Sequence, residues 1–490
     1  MSGRLNLSLS VLTAVLLILI FPRFGFTWLA PVALTPFLIA CARERSWKRR
    51  FLQGWASGFV FWFGVCYWIQ FVLEVHGGLG RWGGWGTFTL FAALKGLHAA
   101  IFATLAGFVM PRSWAIPASA ALWAGIERTH GPLGFTWLQL GNAGVDMPIP
   151  MRIAPVLGVY GVSFLFAMLA CAVALVALRR PRKELAWLVL IAPLYVLPRS
   201  PEPVRGTEQA LVVQPNVDTL QEFTPRSLDA LEKRMALLSQ APGVKLILWP
   251  EIPAPFFYPS DTQLREITST LAAQAKAPLL FGAVARTEKG APLNTAVMID
   301  ASGQDAGRYD KIKLVPFGEF VPPLFFWVNR ITPEAGDYVA GDRVVVFRTG
   351  EHPIGAFICY ESVFPDLVRQ FVRGGAEVLI NLSNDGYFGR TAARDQHLAQ
   401  VRMRAAENRR WIIRATNDGI TATVDPAGRI TERFAPYQQL AAPMRYSYVA
   451  AQSPYTRYGD WFAWSCLIAG LALAIASALN RGVLQGHRRP

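Results

Sequence analysis

The sequence predicts a multi-span α-helical membrane bundle of about eight transmembrane helices, joined to an extramembrane domain of the layered α/β class. Two observations predict this combination. Long apolar runs with short basic clusters beside them occupy residues 1–198 and a stretch near the C-terminus. Between them, residues 199–460 form a hydrophilic block in which short β-rich runs alternate with helical stretches.

The composition excludes an ordinary soluble protein. Of the 490 residues, 52% are hydrophobic, and 16 are tryptophans. The net charge of +15 alone would also suit a nucleic-acid-binding protein, but such a protein needs basic residues on a folded surface. Here they fall largely into clusters beside apolar runs, a distribution typical of the cytoplasmic loops of membrane proteins. We therefore expect a membrane protein with no nucleic-acid partner.

Eight apolar segments are candidate membrane spans. The first follows Arg4 and has no small-residue cleavage site after it, so we interpret it as an uncleaved span rather than a signal peptide. Several segments are shorter than the roughly 20 apolar residues that usually cross a bilayer. The eight segments are Leu5–Phe21, Thr27–Cys41, Gly54–Val75, Trp85–Met110, Trp114–Arg128, Val159–Leu178, Glu184–Leu197 and Trp461–Asn480.

The basic clusters predict how these spans are oriented. If Arg4 is cytoplasmic, the alternation of eight spans also places the clusters Arg43–Arg50, Arg179–Lys183 and Arg481–Arg489 in the cytoplasm. The same alternation places the hydrophilic block on the outer face. The predicted division is an N-terminal bundle of about seven spans (1–198), a catalytic domain (199–460), and a last helix with a cytoplasmic tail (461–490).

The hydrophilic block is long enough to bury a full core of its own. Its β-rich runs predict strands at Ala210–Gln214, Lys245–Trp249, Pro278–Val284, Thr295–Ile299, Arg343–Phe347, Ile354–Cys359, Glu377–Asn381, Trp411–Ala415 and Ile420–Val424. Its helical stretches are Pro225–Ser239, Asp261–Gln274, Pro365–Arg373 and Ala393–Asn408.

Cys359 is the candidate nucleophile of this domain. It ends the apolar run Gly355–Ile358 and is followed by a polar turn, a position in which a thiol is held by a sheet yet faces a cleft. It is the only one of five cysteines in the hydrophilic block and has no neighbour with which to form a disulfide. The alternative is a small buried hydrophobe, the common role of a free cysteine.

Two further residues at the ends of strand-like runs complete a set for acyl transfer through a thiol. Glu251 can act as the general base, and Lys311 can stabilise the oxyanion of the tetrahedral intermediate. The ammonium would also favour the Cys359 thiolate. The alternatives are a solvated carboxylate for Glu251 and a surface ion pair for Lys311. The six histidines have no ligand spacing, so we expect neither a metal site nor a cofactor.

These residues stand in segments that resemble a known family. Trp249-Pro250-Glu251, Lys311 eight residues before Glu319, and Cys359-Tyr360-Glu361 resemble the Glu-Lys-Cys order of the nitrilase superfamily. The run Leu314–Pro322 is similar to its membrane-bound branch, the apolipoprotein N-acyltransferases. Two residues depart from the pattern: Lys313 stands where histidine is common, and Tyr387 stands where tryptophan is expected. The choice of Lys311 over Lys313 therefore rests on the spacing to Glu319. Other segments similar to that family are Gly158–Ser163, Asn381–Asp385, Arg402–Ala405 and Thr416–Gly419.

The resemblance implies an αββα nitrilase-like sandwich and a ping-pong reaction, the last step of lipoprotein maturation. An acyl chain from a membrane phospholipid would be loaded onto Cys359 and passed to the N-terminal α-amine of the diacylglyceryl-cysteine of an apolipoprotein. Glu319 and Glu361 would orient Lys311 and shape the pocket, with Tyr360 as a further supporting residue. The resemblance also implies a monomer in the bacterial inner membrane with its catalytic domain in the periplasm.

Two other functions remain open at this point. A membrane-tethered nitrilase-type amidase would use the same three residues, with water as the final acceptor. A non-enzymatic scaffold or transporter is the other, although a transporter is expected to show inverted repeats or charges within its spans.

Two aromatic runs in the hydrophilic block predict lids at the bilayer surface. One directly follows Glu251 and the other shortly follows Glu319, so both lie beside the candidate site. Exposed aromatic runs suit contact with lipid, and the alternative is that they pack on the domain's own core. The residues are Phe256, Phe257 and Tyr258 in the first run and Phe325, Phe326 and Trp327 in the second.

Overall fold

The computed structural model describes residues 2–132, 134–203, 205–316, 318–320 and 338–486. The chain divides into two compact units. The helical unit comprises Met1–Gln70, Trp85–Ser200 and Tyr458–Pro490, and the sheet unit comprises Phe71–Gly84 and Pro201–Arg457.

The N-terminal part of the chain and its last segment are helical. The helices are α1 (Ser2–Leu19), α2 (Thr35–Arg43), α3 (Trp47–Val65), α4 (Trp68–Phe71), α5 (Gly80–Val109), α6 (Ala115–Thr129), α7 (Ala154–Ala177) and, at the end of the chain, α13 (Trp461–Gly486). Gly158 interrupts the start of α7 with φ 69° and ψ −172°, a conformation that glycine adopts readily.

Among the described residues, three helical segments are long and apolar enough to cross a membrane. They are Gly80–Val109, Ala154–Ala177 and Trp461–Asn480, and α3 with its bent continuation to His76 would make a fourth. The segment expected to span at Glu184–Leu197 forms instead a 3₁₀-helix, Arg182–Tyr195, with mostly exposed side chains. The helical bundle is thus present, and the count of eight spans stays a prediction.

Helices α6 and α13 pack at unusually short range because small residues face each other's backbones. A Cβ atom on Gly125 would lie 2.6 Å from the Leu467 nitrogen, so a larger residue would force the helices apart. At the same interface Arg128 Nε and Asp460 Oδ2 form a buried ion pair at 2.6 Å. The last helix is therefore an integral part of the helical unit.

The sheet unit contains two six-stranded sheets, with strand orders β12-β1-β2-β3-β4-β5 and β11-β10-β9-β8-β7-β6. The strands are β1 (Glu208–Gln214), β2 (Leu246–Leu248), β3 (Leu279–Arg286), β4 (Pro292–Ile299), β5 (Asp305–Asp310), β6 (Val346–Phe347), β7 (Ile354–Ile358), β8 (Val378–Ser383), β9 (Ile412–Thr416), β10 (Ala422–Val424), β11 (Ile430–Arg433) and β12 (Leu440–Tyr446). The helices are α8 (Pro225–Leu238), α9 (Thr262–Ala275), α10 (Pro365–Arg373), α11 (Ala393–Asn408) and α12 (Pro454–Tyr458).

The helices of this unit begin where their capping residues predict. Thr224 and Asp261 accept hydrogen bonds from backbone N–H groups in the first turns of α8 and α9, which no helical carbonyl can satisfy. Both helices contribute to the buried core cluster over the first sheet, for example through Leu231 and Leu264. Helices α10 and α11 contact β7 and β9, and the sheets contact each other through β4 and β7. The result is the αββα sandwich that the resemblance implied.

The topology brings the ends of the central strands together. Strands β1, β2 and β3 are parallel in one sheet, and β7, β8 and β9 are parallel in the other. The carboxyl ends of parallel strands lie at one edge of a sheet, where open α/β sheets place their ligand sites. Glu251 follows β2, Lys311 follows β5 and Cys359 follows β7.

Candidate active site

Lys311 lies at the centre of a buried charge cluster. Its side chain is 1% exposed, and its Nζ lies 3.0 Å from Glu251 Oε1 and 2.9 Å from Glu319 Oε1. Burial alone would lower the pKa of Lys311, but the carboxylates of Glu251 and Glu319 outweigh it and hold that pKa well above its ordinary value. The site therefore keeps a permanent ammonium between two carboxylates.

Asn294, which the sequence analysis did not single out, links the two carboxylates. Its Nδ2 donates to Glu251 Oε1 at 2.8 Å and to Glu319 Oε1 at 2.6 Å. Glu251 Oε2 accepts a further bond at 2.9 Å from the backbone N–H of Asn384, at the end of β8. These donors fix the orientation of Glu251. The signal in the sequence was an asparagine near the start of the mostly apolar strand β4.

Strand β3 approaches the Glu251 loop so closely that only glycine fits at position 282. A Cβ atom there would lie 2.6 Å from the Glu251 Cα atom. This close approach keeps the backbone of the candidate base fixed against the sheet.

Cys359 is buried and holds a strained backbone conformation directly after β7. It is 6% exposed, and its φ of 49° lies in the left-handed region that residues with a side chain rarely adopt. Burial, together with the charge of Glu251, raises the pKa of the Cys359 thiol above its ordinary value, and the opposing effect of Lys311 is smaller. Lys311 thus favours the thiolate, as expected, but burial and Glu251 outweigh it, so the thiol needs a base to attack.

Glu361 clamps the turn after Cys359 to the loop that carries Lys311. Its Oε1 accepts from Tyr309 Oη at 2.7 Å and from the backbone N–H of Ile312 at 2.7 Å, and its Oε2 accepts from the N–H of Ile358 at 2.7 Å. Burial raises the pKa of Glu361, although these hydrogen bonds oppose the rise. Glu361 thus positions the Lys311 loop through its backbone.

Tyr360, the other expected supporting residue, lies in this turn. It is buried and packs edge-on against the ring of Phe364, with the ring centroids 5.2 Å apart.

Lys311 and Lys313, the two candidate lysines, lie in different environments. Lys313 is exposed, and its Nζ lies 5.5 Å from the ring centroid of Phe364. Of these two lysines, it is Lys311 that contacts Glu251 and Glu319. Tyr387, the other departure from the family pattern, packs on the ring of His76 with the centroids 4.6 Å apart.

The first aromatic run packs largely on the core of its own domain. Phe256 is fully buried and Tyr258 is 8% exposed, and both belong to the core cluster that contains Trp249 and Phe281. Phe257 is partly exposed and lies under the guanidinium of Arg286. For Phe256 and Tyr258 this is the core alternative to a lid. The second run, Phe325, Phe326 and Trp327, lies outside the described residues.

The arrangement can perform acyl transfer with protein groups alone. It offers a buried thiol, an oriented carboxylate to accept its proton, and a fixed ammonium to stabilise an oxyanion. In the part of the chain that the structure describes, no group of three His, Cys, Asp or Glu side chains is placed to hold a metal ion.

Comparison with known proteins identifies the family. Residues 205–441 match the carbon-nitrogen hydrolase family, and residues 13–172 match the apolipoprotein N-acyltransferase N-terminal domain. An apolipoprotein N-acyltransferase of Geobacter metallireducens is 32% identical, covering 98% of this chain and 96% of the relative. One of Pseudomonas syringae pv. tomato is 31% identical over 92% of each chain. Among solved structures, an amidase from Nesterenkonia sp. covers 52% of this chain and 93% of its own, with 18% identity and a TM-score of 0.37. The chain belongs to the apolipoprotein N-acyltransferase family, as its motifs predicted, and is an acyltransferase of the membrane.

Proposed function

We propose that the enzyme transfers an acyl chain from a membrane phospholipid to the N-terminal α-amine of a diacylated apolipoprotein, through a thioester on Cys359. The observation that carries this proposal is the buried ammonium of Lys311 between Glu251 and Glu319, in the site that also holds Cys359. The names of the relatives supply the acceptor, and the apolar helices are consistent with a donor taken from the membrane.

In the first half-reaction Glu251 accepts the proton of the Cys359 thiol as Sγ attacks the ester carbonyl of the phospholipid. Lys311 and the backbone N–H after Cys359 stabilise the resulting oxyanion. The bond between the carbonyl carbon and the glycerol oxygen then breaks. Glu251 returns the proton to that oxygen, so the products are a lysophospholipid and the thioester.

In the second half-reaction the neutral α-amine of the acceptor attacks the thioester carbon. Glu251 accepts a proton from the amine nitrogen, and the C–S bond breaks. The proton passes to the departing Cys359 sulfur, which restores the thiol. The pKa of Cys359 is raised in this site, so its sulfur leaves readily only when it receives this proton and departs as the thiol. Both half-reactions therefore depend on Glu251.

We also propose that the sheet unit faces the periplasm, as the basic clusters predict, that the bundle has eight spans, and that the enzyme acts as a monomer. Two exposed lysines give a matched pair for testing orientation: Lys289 in a turn of the sheet unit, and Lys48 in the first turn of α3. The five native cysteines are buried and should react slowly. In intact spheroplasts an impermeant maleimide should label Lys289→Cys, and should label Lys48→Cys only after permeabilisation. The reverse pattern contradicts the orientation.

The second aromatic run is the part of the lid proposal that we retain. Replacing Phe325, Phe326 and Trp327 by serine should raise the phospholipid concentration needed for half-maximal acylation, because aromatic side chains bury apolar area in the headgroup region. The melting temperature should stay close to that of the parent. Unfolding of the variant would mean that these residues belong to the core.

The acyl-transfer proposal is tested by supplying a phospholipid and a diacylated lipopeptide to the parent enzyme and to Cys359→Ala. The parent should release a lysophospholipid and form the N-acylated lipopeptide, and Cys359→Ala should do neither. Acylation of the lipopeptide by Cys359→Ala would overturn the covalent route. Release of free fatty acid alone, with the lipopeptide unchanged, would establish a nitrilase-type hydrolase instead.

A further inference from the structure

A buried polar cluster lies behind Cys359 in residues that the proposed mechanism does not use. Asp385 follows β8, His397 is on α11 and Arg414 is on β9. The side chains of all three are completely buried. Burying ionised groups costs free energy, so we expect this cluster to have a role beyond packing. Asp385 ends the segment Asn381–Asp385, which resembles the family but was given no role in the sequence analysis.

His397 contacts the backbone of the candidate nucleophile. Its Nε2 lies 3.0 Å from the carbonyl oxygen of Cys359. Because a carbonyl oxygen can only accept a hydrogen bond, Nε2 must carry a proton and donate it. This bond fixes the peptide group between Cys359 and Tyr360. Cys359 itself has the strained φ of 49°.

The second ring nitrogen of His397 lies against an ion pair. Arg414 Nη2 donates to Asp385 Oδ1 at 2.6 Å, and the same Nη2 lies 3.1 Å from His397 Nδ1. The same Nδ1 also lies 3.2 Å from Asp385 Oδ1. Arginine can only donate and a carboxylate can only accept, so Nδ1 lies between a donor and an acceptor. In a neutral ring it is therefore the contact of Nε2 with the Cys359 carbonyl that places the proton on Nε2 and leaves Nδ1 to accept from Arg414.

The charges of the cluster support this assignment. Burial and the neighbouring charge of Arg414 lower the pKa of His397 and outweigh the opposing effect of Asp385, so the ring is neutral. Burial would raise the pKa of Asp385, but Arg414 and His397 outweigh it and hold the pKa well below its ordinary value. The cluster therefore consists of a charged arginine, a carboxylate and a neutral imidazole with its proton on Nε2.

We propose that His397 is a positioning residue for acyl transfer, which holds Cys359 in its left-handed conformation by donating to its carbonyl oxygen. Asp385 and Arg414 hold the His397 ring in the orientation that allows this bond. The inference rests on the proposed function, because it requires Cys359 to be the nucleophile. Loss of the bond should misdirect Sγ, and a misplacement of about 1 Å can slow a reaction on the order of 100-fold.

Glutamine and asparagine at position 397 form a matched pair for the test. The longer amide can place an N–H where Nε2 lies, and the shorter one reaches only the position of Nδ1. His397→Asn should slow thioester formation from phospholipid on the order of 100-fold, with the KM for phospholipid unchanged. His397→Gln should stay within about tenfold of the parent. His352→Gln, at a half-exposed site paired with Glu377, is the control for loss of a histidine and should match the parent.

Equal rates for folded His397→Asn and the parent would overturn the positioning role, as would equally slow asparagine and glutamine variants. If the variants do not fold, the ¹⁵N chemical shifts of the His397 ring in the parent decide. The proposal requires a proton on Nε2, and a neutral ring with its proton on Nδ1 would contradict it. Absence of any thioester in the parent would instead count against Cys359 as the nucleophile, which separates the two failures.

Discussion

Lys311→Met tests how the site uses its buried ammonium. The Nζ of Lys311 lies 3.0 Å from Glu251 Oε1 and 2.9 Å from Glu319 Oε1, and its side chain is 1% exposed. Methionine fills a similar volume without charge, so two carboxylates are left facing each other. Removing one partner of a buried ion pair costs about 3–5 kcal/mol of stability. Loss of an oxyanion donor costs about 3–4 kcal/mol of activation free energy, on the order of 100- to 1000-fold in rate.

A second substitution separates these two costs. Glu319→Gln in the Lys311→Met background removes one of the two unpaired charges, while its side-chain carbonyl can still accept from the backbone N–H of Val315. We expect the double variant to regain about 1–3 kcal/mol of unfolding free energy, because one of the two facing buried charges has been removed. Acylation should remain slow, because no ammonium has been restored at the oxyanion.

The assay uses phospholipid alone, so that only the first half-reaction is read. Lysophospholipid release and a hydroxylamine-sensitive adduct on Cys359 report acylation, and thermal unfolding reports stability. Lys313→Met, at an exposed site, is the matched control and should acylate at nearly the parent rate. Acylation of Lys311→Met at the parent rate would refute the oxyanion role. Recovery of acylation along with stability in the double variant would refute it equally.

Three further predictions concern the neighbours of Lys311. Asn294→Leu removes two hydrogen bonds to carboxylates, so a thermal melt should show the unfolding free energy lowered by about 1.5–3 kcal/mol. Lysophospholipid release should also slow, and an unchanged rate would mean that Glu251 does not need Asn294 to hold its orientation. Glu361→Gln should lower the unfolding free energy by about 1–3 kcal/mol, since an amide cannot accept from the N–H groups of both Ile312 and Ile358, and parent-like stability would contradict the clamp. The rate of Cys359 alkylation should keep rising with pH beyond the ordinary thiol pKa of about 8.5, because burial and Glu251 raise the pKa of Cys359. Glu251→Gln should shift this rise to lower pH, and a plateau near the ordinary pKa would show an unperturbed thiol.

Local signals predicted the elements of the sheet unit that carry strong patterns. Helices α8 to α11 were predicted within one residue at either end, because caps and amphipathic spacing are local properties. Strands β5, β11 and β12 were missed, and each lies at an edge of its sheet. β5 is mostly exposed, and β12 contains Pro443, so neither shows a continuous apolar run. An edge strand forms because a neighbour offers hydrogen bonds, which its own sequence does not record.

The site shows the same division. Glu251, Lys311 and Cys359 each follow a strand-like run, and the spacing from Lys311 to Glu319 predicted the correct lysine for the ion-paired cluster. The bridging role of Asn294 arises from contacts between distant segments, and the pattern of β4 alone does not contain them. The aromatic run after Glu251 was ambiguous because lids and cores use the same residues. Phe256 packs towards Trp249 and Tyr258 packs on Phe281, which only the tertiary structure decides.

The most direct test of the central claim is a chase of the isolated acyl-enzyme. The enzyme is loaded with a labelled phospholipid, freed of donor, and mixed with a diacylated lipopeptide while the mass of the Cys359 peptide is followed. The account predicts that Cys359 carries one acyl chain and that the label moves to the N-terminus of the lipopeptide at least as fast as steady-state turnover. An unmodified Cys359, or an adduct that the lipopeptide does not discharge, would contradict it.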